Sequence, residues 1–170
     1  MKTLKFCALL LLFTTLCLSC KKTGKNPEDP CNSILNESPP LKVAIVLADK
    51  QSGNNLILST GLTAADIKLS LSGSTMPVTN WRLINTPASP LYGILELAVF
   101  HEKAGEYRYK IEAKGLKEVE FSYTIRQVKS ESPCKIYAYP MEGLKAINQD
   151  FAPLTFGDKN YSNGIKVLIN

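Results

Sequence analysis

Gly105-Glu106-Tyr107-Arg108-Tyr109-Lys110-Ile111-Glu112-Ala113-Lys114-Gly115-Leu116-Lys117-Glu118-Val119-Glu120-Phe121-Ser122-Tyr123-Thr124-Ile125-Arg126 is the stretch that decides the fold. Tyr107, Tyr109, Ile111 and Ala113 fall on one side of an extended chain, with Arg108, Lys110, Glu112 and Lys114 on the other. Val119, Phe121, Tyr123 and Ile125 repeat the pattern against Glu118, Glu120, Ser122, Thr124 and Arg126. Side chains of a strand alternate between faces, so a period of two on both sides of a Gly-containing loop predicts a β-hairpin with one buried and one wet face.

Working outward, residues 41–48 are almost all apolar, as expected of a strand buried on both faces. Asp49-Lys50-Gln51-Ser52-Gly53-Asn54-Asn55 is turn chemistry. Ile67, Leu69 and Leu71 alternate with Lys68, Ser70 and Ser72, which predicts a half-buried strand. A weaker strand is expected over 78–84, around Trp81, followed by an apolar run over 92–100 and later strands over 135–139 and 144–148. A terminal strand over 165–169 would be launched by a tight turn at Asn163-Gly164. No long segment carries a 3.6-residue stripe. Thr63–Ile67 reads as at most one helical turn, with Thr63 as cap and Asp66 at the third position. Seven to nine short strands with regular turns predict an all-β, antiparallel sandwich.

The N-terminus reads as an address. Lys2 and Lys5 precede an apolar run to about Leu18, too short for a comfortable membrane span of about 20 residues. A basic flank and a short apolar stretch suit a secretory signal. Leu16-Cys17-Leu18-Ser19-Cys20 resembles a bacterial lipobox, with Cys17 where that family more often has Leu. The resemblance implies cleavage before Cys20 and acylation of its thiol and new amine. One acyl chain holds a protein on a membrane only marginally, and two or three hold it firmly. The expected organisation is a signal peptide over 1–19, a lipidated flexible tether over 20–40 and a sandwich over 41–170.

The tether is polar and holds Pro27, Pro30, Pro39 and Pro40. A coil of that length reaches roughly 25 Å. Removing Lys2 and Lys5 lowers the net charge from +5 to +3, and Lys21, Lys22 and Lys25 beside the anchor account for that excess. Basic and acidic residues are otherwise interleaved, which argues against a nucleic-acid partner. Of five cysteines, Cys7 and Cys17 leave with the signal and Cys20 takes lipid. Cys31 and Cys134 are left to form a disulfide in an oxidising compartment, or to remain two separate thiols.

Two further resemblances bear on the fold and the setting. Gly105-Glu106-Tyr107-Arg108-Tyr109 resembles the Gly-x-Tyr start of the penultimate strand of immunoglobulin-like domains. There a tyrosine at a corner hydrogen-bonds upstream backbone. Lys103 and Tyr109 stand where the antibody pattern has Asp and Cys. More broadly, three segments resemble small lipoproteins of the Bacteroidetes kind. These are Lys21-Lys22 after the lipid cysteine, Asp49-Lys50-Gln51-Ser52-Gly53-Asn54-Asn55-Leu56, and Ala65-Asp66-Ile67-Lys68-Leu69. That resemblance implies a cell envelope address and a sandwich, and no reaction. Lys21, rather than Asp, resembles an outer-membrane sorting signal. The absence of an acidic cluster next to Cys20 favours the periplasmic face over surface exposure.

Catalytic chemistry finds little footing. His101 is the sole histidine, beside Glu102 and before Gly105, and reads as a surface turn rather than a catalytic base. Glu96 interrupts an apolar run and is expected to face water. Two cysteines and one histidine do not make a metal site. Asp49, Asn54 and Asn55 fit turn chemistry better than a Ca²⁺ loop. No Gly-rich phosphate loop is present, and no cofactor is implied. Trp81, Tyr92, Tyr137, Tyr139 and Tyr161 are candidates for stacking on a ligand if several share an exposed face, with Tyr137 and Tyr139 on one side of a strand. Core packing is the simpler reading for Trp81. The expected function is therefore a membrane-anchored, non-enzymatic binding or assembly module of the cell envelope, its ligand unassigned, with an envelope protein or a glycan as the candidate partner. A glycan-binding role in nutrient capture is the alternative, and a hydrolase is the remaining class.

Overall fold

The computed structural model describes residue 31 and residues 40–99, 103–131 and 134–170. The chain divides into two units, Met1–Leu35 and Asn36–Asn170, and every element below belongs to the second. Among the described residues there are eleven strands: β1 Leu41–Asp49, β2 Ile67–Leu71, β3 Trp81–Leu83, β4 Leu95–Val99, β5 Gly105–Ala113, β6 Val119–Ile125, β7 Val128–Lys129, β8 Tyr137–Ala138, β9 Met141–Ala146, β10 Asp150–Phe156 and β11 Lys159–Ile169. They form a five-stranded sheet in the order β10-β11-β1-β4-β3, a four-stranded sheet in the order β2-β5-β6-β9, and a small β7-β8 ribbon. The protein is an all-β, sandwich-like fold.

The predicted hairpin is β5–β6, with Tyr107 opposite Tyr123, Tyr109 opposite Phe121 and Ile111 opposite Val119. Its apolar face meets the inward residues of the other sheet: Val43, Ile45 and Leu47 of β1, Leu95, Leu97 and Val99 of β4, and Ile165, Val167 and Ile169 of β11. Tyr109, Phe121 and Tyr123 stack with ring centroids 5.3–5.8 Å apart. The Tyr123 hydroxyl donates to the Tyr109 hydroxyl at 3.2 Å, inside the core. Burial keeps both phenols protonated above their ordinary range. Tyr107 sits where the sandwich opens, and its hydroxyl donates to the Lys103 carbonyl at 3.1 Å.

β1 is apolar on both sides for a reason. Ala44, Val46 and Ala48 face away from the central core and form a second cluster with Ile94 and Leu154, flanked by Leu91, Phe156, Tyr161 and Leu168. β1 pairs antiparallel with β4 and parallel with β11, the one parallel pairing among the described strands. The last strand thus lies beside the first in the middle of the sheet, where neither edge of β1 meets water.

The C-terminal third departs from expectation. Asn163-Gly164 is not a turn but lies inside β11, which begins at Lys159 and turns back from β10 at Gly157-Asp158. β10 carries a register shift between Pro153 and Thr155, so Leu154 leans over the sheet. A Cβ on Gly164 would lie 2.9 Å from both Leu154 Cδ2 and Tyr161 Cδ1. Gly164 is there to admit Leu154, not to bend the chain. Pro153 is tolerated because β10 is an edge strand that needs one ladder only.

Candidate functional site

The segment between β1 and β2 builds the most defined concavity. Asp49 opens it: its carboxylate accepts from Ser52 N and Ser52 Oγ, both at 2.7 Å. Those bonds hold the carboxyl below the usual carboxylate range. Asp49 is therefore committed to turn chemistry. Asn55 follows as the N-cap of a five-residue helix, α1 (Leu56–Thr60), its Oδ1 accepting from Ile57 N at 2.9 Å. Its Nδ2 donates to the Gly93 carbonyl at 2.9 Å, tying α1 to the turn before β4. Gly93 has φ +77°, and a Cβ there would lie 2.6 Å from Leu58 Cγ. Only glycine permits this approach.

Leaving α1 at Gly61, the chain makes a 3-10 turn, Ala64–Asp66, at the place expected for one helical turn. Thr63 N and Thr63 Oγ1 both donate to Asp66 Oδ2, at 3.0 and 2.7 Å, and these bonds lower the Asp66 pKa. On the opposite wall, Ile84 and Gly93 pair through Gly93 N to Ile84 O at 2.9 Å, and Tyr92 N donates to Ser89 O at 3.0 Å. Between these walls lies a cleft of about 240 Å³. Ile57, Leu62, Leu83 and Ile84 give it an apolar floor, and Thr63, Asn85 and Tyr92 supply its polar groups. No charged side chain lines it. Among the described residues its lining has no Asp, Glu, His, Lys, Arg or Cys side chain, so its chemistry is that of neutral polar and apolar groups.

A second hollow, at the β9–β10 turn, is lined by residues 147–150, Leu168 and Asn170. Two of its polar side chains, Asn148 and Asp150, are already engaged. Asn148 Oδ1 accepts from Glu120 N at 2.8 Å, its Nδ2 donates to Glu118 O at 3.0 Å, and Asp150 pairs with Lys50 at 2.7 Å. It is a folded turn rather than a receptor.

The residues singled out from sequence fall in different places. Trp81 and Tyr139 are partly buried and pack against the main core. Tyr137 is exposed on the β7–β8 ribbon, beside Ile136, which is 73% exposed. β8 ends at Ala138, so Tyr137 and Tyr139 do not share a strand face. Tyr161 packs edge-on against Phe156 over the second cluster. Tyr92 alone of these rings lines the cleft. Cys31 and Cys134 are each disulfide-bonded. Cys20 and His101 lie outside the described residues.

Glu96 does not face water, as its place in the alternation suggested. It is 8% exposed, on the outer side of β4. Arg82 donates to its Oε1 from Nη2 at 2.8 Å and from Nε at 3.0 Å, and Lys42 lies 3.3 Å from the same oxygen. Arg82 is its register partner on β3, and Lys42 is on neighbouring β1. Two cations from flanking strands make the buried carboxylate tolerable, a structural role.

Sequence reasoning had no hold on Asn85 or the floor of the cleft, and it read Thr63 only as a cap; these residues converge only through the fold. The available signal was indirect. Residues 49–56 and 65–69, singled out in the sequence for other reasons, flank the α1 wall. Comparison of the chain with protein-family models, curated proteins and solved structures finds no match.

Proposed function

We propose that this chain is a lipid-anchored protein of the bacterial cell envelope, whose sandwich acts as a non-enzymatic binding module. The observation that carries the reading is Leu16-Cys17-Leu18-Ser19-Cys20 at the end of a short apolar run with a basic flank. Cleavage before Cys20 and acylation of it place a polar, proline-bearing tether between the lipid and the folded part. In this reading the anchor is in the outer membrane and the sandwich, of immunoglobulin-like type, faces the periplasm. Cys31 and Cys134 pair with one another, shortening the free leash. A neutral cleft on a charge-laced body supports binding over chemistry.

The test is metabolic labelling of the expressing bacterium with an alkyne fatty acid, followed by mass spectrometry of the N-terminal peptide. A mature chain that starts at an acylated Cys20, fractionates with membranes, and loses both label and membrane association in Cys20→Ala is the expected result. An intact leader, or an N-terminus without fatty acid, overturns it. Under non-reducing digestion a Cys31–Cys134 peptide pair is expected.

A further inference from the structure

The cleft between α1 and the turn before β4 carries a narrower claim, which rests on reading the sandwich as a binding module. We propose that it is a saccharide site that holds one uncharged pyranose ring, with Tyr92 against the ring's C–H face and Asn85 on its hydroxyls. Size is the first argument. A volume of about 240 Å³ is below the roughly 300–1,000 Å³ of pockets that take drug-sized molecules, so the guest is a single ring.

Charge is the second. None of the lining side chains is Lys, Arg, His, Asp or Glu, and an unpaired ion entering such a lining would lose its hydration without compensation. Phosphates, carboxylates and amines are therefore poor guests. The third argument is the distribution of polarity. Ile57, Leu62, Leu83 and Ile84 form an apolar floor, while the Asn85 amide and the Tyr92 hydroxyl bring side-chain polar atoms to the lining. A primary amide sets a carbonyl acceptor beside two N–H donors. Vicinal sugar hydroxyls, each a donor and an acceptor, match that fork. A wholly apolar guest would leave it unused. A pyranose combines an apolar face with a hydroxylated rim, as the cleft does.

Rigidity is the fourth argument. Asn55 fixes α1 to Gly93, and the Gly93–Ile84 pairing fixes the opposite wall, so both sides are held before a ligand arrives. Little ordering is then charged against binding. With one ring and one aromatic partner, affinity on the order of millimolar is expected.

The test uses the full chain in a zwitterionic detergent with no sugar headgroup, isotopically labelled for amide NMR. Glucose, galactose, mannose and N-acetylglucosamine are titrated singly, with cyclohexanol and indole as uncharged controls. At least one sugar should shift amides of residues 57–64 and 83–93 saturably. Tyr92→Ala and Asn85→Ala should each weaken that sugar at least about tenfold, with unchanged amide dispersion elsewhere, while Tyr137→Ala binds as the parent does. No movement of those amides with any sugar, preferential binding of cyclohexanol or indole, or binding that survives the Tyr92→Ala/Asn85→Ala double variant overturns the proposal. Acylation of Cys20 is read separately, so loss of this claim leaves the anchor and the wider binding role standing or falling on their own test.

Discussion

The two large sheets share one core and differ on their outer faces. The outer face of β2-β5-β6-β9 is a lattice of charges. Arg108 pairs with Glu106, Lys110 with Glu112 and Glu118, and Arg126 with Glu142, at 2.8–3.3 Å. The outer face of β10-β11-β1-β4-β3 is a second apolar layer with a single buried carboxylate, Glu96, set among cations. The difference follows from position. A sheet with one solvated face needs only alternation, whereas the central β1 is covered on both faces and its outward residues must also be apolar. Outward residues are therefore expected to contribute unequally to stability in the two sheets. Outward positions of β5 should be replaceable, and Ala44, Val46 and Ala48 of β1 should not.

A direct way to break that contrast is to change the charge on each outer face, adding one where the layer is apolar and removing one where it is charged. Ala48 is fully buried on the outer side of β1. Ala48→Lys puts an amine with no partner into an apolar layer, and should cost about 3–5 kcal/mol, the scale of an uncompensated buried charge. Lys110→Ala removes a cation from the charged face, and its urea midpoint should stay close to the parent's. Urea unfolding of the two variants beside the parent chain makes the measurement. If both variants unfold at the parent's midpoint, the outer layer of the five-stranded sheet is not closed to water, and the comparison fails.

How much of this was legible in the sequence follows the same line. β5, β6 and β2 were readable because one wet face forces alternation, and β1 because two covered faces erase it. β10 was not readable: Pro153 and the register shift at Leu154 break the period that would have marked it. Gly164 misled because Asn-Gly is common in turns, while its use here depends on Leu154 arriving from another strand. α1 is too short to show a helical stripe, and its cap, Asn55, has the composition of a loop. The cleft is the extreme case. Tyr92 could be nominated as an aromatic ring, but its meeting with Thr63 and Asn85 is set by pairing between β3 and β4, which no local pattern encodes.

The shared core offers an intermediate effect that sharpens the comparison from inside. Tyr109 and Tyr123 are 7% and 1% exposed. Burial raises both phenol pKa values above the ordinary 10.0, and for Tyr123 the bond to Tyr109 raises it further. Stability from these two groups is therefore full below pH 10 and is lost as the pH rises from there toward the folded-state values, because the unfolded phenols ionise first. Two of the seven tyrosines should appear in an absorbance titration only as the chain unfolds. Tyr123→Phe removes the donor of the buried hydroxyl–hydroxyl bond and should cost about 1 kcal/mol. Freely titrating phenols throughout would show that the inner face of the β5–β6 hairpin is not sealed.

The smallest effect separates the charged outer face from the clasp that frames the cleft, and salt is the lever. Glu112 is held below the usual carboxylate range by the hydrogen bond and charge of Lys110. Asp49 and Asp66 are held low instead by hydrogen bonds from Ser52 and Thr63. All three depressions have the same sign. The stabilisation is present above the unfolded carboxyl values, 3.8 for Asp and 4.5 for Glu, and drains away as pH falls through the lower folded ones, since the unfolded chain takes up protons first. An ion pair at the surface is screened by salt, whereas a carboxylate bonded to neutral hydroxyl and amide groups is screened far less. Unfolding midpoints between about pH 5 and pH 2.5, at low and high salt, should therefore fall in both conditions. Asp49→Asn and Asp66→Asn should flatten the fall at either salt concentration, and Glu112→Gln should flatten it only at low salt. An acid limb that Asp49→Asn and Asp66→Asn leave unchanged would mean that the loop around the cleft is held by something other than these two carboxylates.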